Sequence, residues 1–90
     1  MKAAVIREYG QPGVLHIEDV PEPEVAPGKV LIRVAAASIN PIDTLERAGQ
    51  VEDWHPTFPA ILGWDVAGKV MAIGSEVKGF SAGDDVLLLP

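Results

Sequence analysis

Leu62-Gly63-Trp64-Asp65-Val66-Ala67-Gly68-Lys69-Val70-Met71-Ala72-Ile73-Gly74 decides how the rest of this chain is read. Val66, Val70 and Ile73 give it β-branched bulk, which packs well on a pleated surface. The glycines at 63, 68 and 74 interrupt that bulk at points where another backbone can approach closely. One long, bent strand over 62–73 is the expectation.

Working outward, Lys29 to Ala37 reads as the central strand, with Val30, Ile32 and Val34 on one face and Leu31, Arg33 and Ala35 on the other. Between these two strands, Asn40-Pro41 changes the pattern. Pro suits the first helical position behind an Asn cap, so a short helix over 42–48 is expected, stopped by Gly49. Gln50 to Pro59 has no period and reads as a loop. After Gly74 the chain turns through Phe80, and Asp84 to Leu89 begins a last strand. Upstream, Lys2 to Arg7 reads as a strand and Tyr9 to Gly13 as a turn. Leu15 to Val20 reads as an edge strand ending at Pro21. Pro21 to Gly28 holds three prolines and is expected to be an extended connection. The sum is a mainly β fold, a partly open barrel with one short helix.

Ninety residues suit one small domain around a core of Val, Ile, Leu and Ala, since only five residues are aromatic. A net charge of −6 argues against nucleic acid and against an anionic membrane surface. The absence of cysteine excludes disulfides, thiolate metal sites and thiol catalysis. Met1 to Ile6 meets charge at Arg7 and Glu8, too soon for a signal peptide, and no stretch reaches transmembrane length. A cytoplasmic protein is expected.

Three segments in order resemble one family. Asn40-Pro41-Ile42-Asp43-Thr44-Leu45-Glu46-Arg47-Ala48-Gly49 is similar to the N-P-x-D-x-x-x-R-x-G segment of zinc-independent quinone oxidoreductases. Phe58 to Gly68 resembles their P-x-x-L-G-x-[DE]-x-x-G segment. Gly68 to Val86 resembles G-x-V-x-x-[VI]-G-x-x-V-x-x-F-x-x-G-D-x-V. The resemblance runs the length of the chain and implies the N-terminal, GroES-like domain of the medium-chain dehydrogenase/reductase superfamily. Such a domain forms the substrate side of a cleft whose other side is a Rossmann domain. No G-x-G-x-x-G following a strand occurs in these ninety residues, so the cofactor domain is expected to be absent and the chain alone inactive.

Zinc-dependent members carry Cys where this chain has Asn40 and His where it has Trp64. Asn is a poor zinc ligand, and the indole nitrogen of Trp only donates. Asp65 stands at a Glu position but cannot hold an ion alone, and His16 and His55 are expected to be solvated. No metal is expected. The resemblance implies hydride transfer from NADPH to a quinone or a conjugated carbonyl compound, with hydrogen-bond donors meeting the negative charge that develops on oxygen.

Asn40, Trp64 and Asp65 are the candidate catalytic or substrate-cleft residues. By resemblance Asn40 lies on the nicotinamide side, though an Asn before Pro is equally a helix cap. Trp64 is a candidate pocket wall. Asp43 and Arg47, four apart on the helix, are expected to form a supporting ion pair. The family often carries Tyr where this chain has Leu45 and Val51, so its pocket is expected to be more apolar. A different class of reading, a free-standing GroES-like binding or scaffold module, predicts a ring of subunits instead. Exposed Leu87, Leu88 and Leu89 would favour self-association in either case.

Overall fold

The computed structural model describes residues 1–89. All strand pairing in it is antiparallel, in two open three-stranded sheets accompanied by a single α-helix. The chain divides into two compact units, one made of Met1–Pro21 with Ile39–Gly63, the other of Glu22–Ser38 with the residues from Trp64 onward.

In the first unit, β1 (Lys2–Ile6) lies between β2 (His16–Asp19) and a two-residue strand further along the chain. Val5 faces His16 on one side and Ile61 on the other. Val5 and Ile6 are fully buried, which follows from their place in the middle strand. As read from the sequence, β2 is an edge strand. A short 3-10 turn at Pro12–Val14 joins β1 to β2. The bidentate pair from Arg7 Nε and Nη2 to the Glu18 carboxylate, 2.9 and 2.6 Å, crosses between the same two segments.

The second unit is built on β3 (Val30–Ser38). Back in the first unit follow α1 (Pro41–Ala48) and the short strand β4 (Ala60–Ile61), which pairs with β1. The second unit then resumes with β5 (Asp65–Ile73) and β6 (Asp85–Leu88), giving the order β3-β5-β6.

Two sequence expectations are corrected here. β5, not β3, is the central strand. Gly68 is the reason the two lie so close: a Cβ there would stand 2.1 Å from the Arg33 carbonyl oxygen. Strict alternation along β3 also fails, because the register slips between Leu31 and Ile32 and again between Val34 and Ala36. The expected strand over 62–73 begins only at Asp65, since Gly63 turns the chain at φ +113°. β4 falls between the loop expected over 50–59 and the strand expected over 62–73, too short to show a period. The helix is as expected, with Pro41 as its first residue.

Candidate functional site

Asn40 holds an extended backbone (φ −127°, ψ 162°) immediately before Pro41. Its N–H donates to Asp43 Oδ2 at 2.9 Å, and the Asp43 N–H donates back to the Asn40 carbonyl at 2.9 Å. This ties a carboxylate to the positive end of the helix, where negative charge is favoured. Gly49 ends the helix in the left-handed region at φ +76°. A Cβ on Gly49 would also meet the Tyr9 ring at 2.8 Å. Tyr9 in turn stacks edge-on to Phe58, ring centres 5.3 Å apart.

The expected ion pair between Asp43 and Arg47 does not form. Ion pairs do form at Arg7–Glu18 and Lys69–Asp85. Asp43 is turned instead toward the start of its own helix. Arg47 reaches the Gly10 carbonyl through Nη1, while the Gly10 N–H donates to the Arg47 carbonyl at 2.9 Å. Two helix positions thus serve two different backbone partners.

The inward face of α1 is not its apolar one. Asp43 is 7% exposed and Glu46 2%, whereas Leu45 is 42% exposed. The sequence reading passed over Glu46. Its signal was spacing: Asp43 and Glu46 stand three apart on one helical face. Asp43 Oδ1 is buried with no hydrogen-bond partner among the described residues.

Trp64 and Asp65 belong to the second unit. Trp64 is 44% exposed. Asp65 opens β5 directly opposite Ser38, and Ser38 Oγ donates to Asp65 Oδ2 at 2.8 Å. Beside this pair lies a shallow pocket of about 210 Å³, lined by Ala36, Ala37, Val66, Ala67, Leu87 and Leu89 together with Ser38 and Asp65. One polar pair at the edge of apolar walls suits a largely apolar ligand carrying one hydrogen-bonding group. Trp64 stands outside the lining. Ser38 was not legible in the sequence, since only the register of β3 on β5 brings positions 38 and 65 together.

A catalytic zinc site needs about three converging ligands with a fourth position open. No group of three His, Cys, Asp or Glu comes together among the described residues. His16 and His55 are both exposed, one on β2 and one in the loop before Pro56. No helix among the described residues is long and apolar enough to cross a membrane.

The chain is similar to the NADPH-dependent alkenal/one oxidoreductase, chloroplastic, of Arabidopsis thaliana, 41% identical over 87 residues, which are 96% of this chain and 22% of that protein. It is also similar to an NAD-dependent alcohol dehydrogenase of Sulfolobus acidocaldarius, 35% identical over 94 residues, covering all of this chain and 27% of that one. Among solved structures, the Escherichia coli quinone oxidoreductase complexed with NADPH superposes with a TM-score of 0.87 at 32% identity, over 97% of this chain and 26% of that one. The chain spans about a quarter of the length of these relatives. The description of the alcohol dehydrogenase GroES-like domain matches residues 26–90. The chain belongs to that domain family, within the medium-chain dehydrogenase/reductase superfamily.

Proposed function

We propose that residues 1–90 are the substrate-side domain of a zinc-free, NADPH-dependent reductase of quinones or conjugated enones, whose Rossmann domain lies outside this sequence. The observation that carries this reading is the likeness, over nearly the whole chain, to an NADPH-dependent alkenal/one oxidoreductase and to a quinone oxidoreductase complexed with NADPH. The residue chemistry supports it against the alcohol dehydrogenase alternative. Asn40 and Trp64 replace the Cys and His a zinc site would need, and neither is a serviceable ligand.

NADPH supplies a hydride to the substrate's conjugated system when bound. This chain's part is to place that system and to meet the charge left on oxygen. Asn40 is fixed at the helix start, with its backbone held by Asp43, and its side-chain amide is the donor we assign to the substrate carbonyl or the nicotinamide side. Trp64, partly exposed and outside the small pocket beside Ser38 and Asp65, is assigned as an apolar wall of the substrate cleft by its place in the family pattern. Asp65 is assigned a supporting role through Ser38, and Asp43 and Arg47 keep the helix end in place. A conjugated carbonyl needs less electrophilic assistance than an isolated one, which suits a site of hydrogen bonds alone. The proposed location is the cytoplasm.

The test uses the complete natural polypeptide and the ninety-residue chain side by side. NADPH oxidation is followed with a quinone, a conjugated enone and a simple alcohol–aldehyde pair, with and without a strong metal chelator. The complete polypeptide is expected to reduce the quinone or enone at a rate the chelator leaves unchanged, and the chain alone to be inactive. Activity lost to the chelator, or turnover by the chain alone, contradicts the proposal.

A further inference from the structure

Asp43, 7% exposed, is a carboxylate short of partners. Taking such a group out of water is costly unless hydrogen bonds or an opposite charge replace the water. Its Oδ2 accepts the Asn40 N–H at 2.9 Å. Its Oδ1 is buried with no hydrogen-bond partner among the described residues. Arg47, the cation one turn further along, is spent on the Gly10 carbonyl. The Thr44 hydroxyl, next in sequence, donates to the Pro41 carbonyl at 2.7 Å. One backbone N–H and the positive end of the helix are what meets the charge there. A buried polar atom left without a partner is uncommon enough to call for a reason.

The helix start that carries Asn40 is, by itself, a poor neighbour for a group that turns positive. Its partial positive charge opposes such a group, and the opposition grows where water is excluded. Hydride transfer makes a group of this kind. Two electrons and one hydrogen leave the dihydronicotinamide ring for the conjugated carbonyl compound. The ring is left with one positive charge and the substrate with one negative charge, which a proton from water later neutralises. A carboxylate tied to the helix start, with an oxygen to spare, reverses the sign of the field that the ring meets. An interaction that strengthens as charge develops favours the transition state over the ground state.

We propose that Asp43 is the counter-charge for the nicotinamide ring as it becomes positive. Asp43 takes this part only within the proposed function, where Asn40 serves the substrate carbonyl or the nicotinamide side. A helix cap accounts for Oδ2 and leaves Oδ1 idle. A counter-charge needs an oxygen that is not already committed. The consequence is a preference for the oxidised over the reduced nucleotide, which can be read without turnover.

The test titrates NADP+ and NADPH separately into the complete natural polypeptide, as the parent and as Asp43→Asn, by calorimetry. Asparagine keeps an oxygen for the Asn40 N–H and removes the charge. The variant is expected to raise the ratio of the NADP+ to the NADPH dissociation constant about tenfold, the scale of a unit charge acting at several ångströms inside a protein. A merely structural Asp43 would move both constants together and leave the ratio alone. Should Asp43→Asn not fold, Asp43→Ser carries the same test, since its hydroxyl can also accept that N–H. A ratio unchanged or lowered overturns the counter-charge and leaves the proposed function standing. A parent polypeptide that binds neither nucleotide overturns both.

Discussion

The two units solve the same problem, a small antiparallel sheet with little core, in different ways. The first places Val5, Ile6 and Ala60 in buried positions and adds a helix whose ends are tied down by Asp43, Arg47 and Gly49. Much of its definition comes from side chains locking onto backbone. In the second, Val70 is the only buried apolar residue among those described, and the strands are held by close backbone approach. Gly68 admits the Arg33 carbonyl, and Gly74 admits the carbonyls of Ala26 and Pro27. Val34, Met71, Ile73 and the leucines of β6 stay well exposed. A unit fastened mainly through its backbone leaves its apolar side chains for something else to cover.

If that contrast is right, a methyl group costs more in the second unit than in the first. Gly68→Ala must push a backbone carbonyl aside within a paired sheet, and is expected to cost about 3 kcal/mol. Gly49→Ala keeps a left-handed conformation at about 1–2 kcal/mol, and the Tyr9 ring it meets is a side chain at the surface that can swing away. Urea unfolding of both variants against the parent measures the difference. Equal losses would break the contrast.

A smaller effect sharpens it at the edge of the first unit. The Arg7 hydrogen bonds hold the Glu18 carboxyl below its ordinary value. A lowered folded-state value contributes stability above the unfolded-state value, and that contribution disappears as pH falls through the folded one. The pair is exposed, so the gain is slight and weakened by salt. The difference in thermal midpoint between the parent and Glu18→Gln should be present at neutral pH and vanish in acid. A difference that persists at the acid end would mean that Glu18 acts through packing instead.

Local chemistry made most elements legible. Asn40-Pro41 with Gly49 fixes a helix almost to the residue, because a cap, a proline and a left-handed glycine each have a backbone reason. The strands were legible through β-branched bulk. Which strand lies in the middle was not, because that depends on the long-range approach of Arg33 to Gly68 and on slips within β3. The same limit applied to the candidate site. Asn40, Trp64 and Asp65 stood out through the family resemblance, but Ser38 and the burial of Glu46 follow from register and packing that no local pattern contains. The Asp43–Arg47 pair failed because helix spacing permits a contact without requiring it, and both side chains had backbone partners.

The central claim is that this chain is one domain of a larger reductase. The most direct measurement is the mass of the natural polypeptide in its source cells, detected with an antibody raised against these ninety residues. The account predicts a species on the order of 300 residues, the size of a substrate-side domain joined to a cofactor domain. A species of only ninety residues would contradict it and leave a free-standing binding module as the reading to pursue.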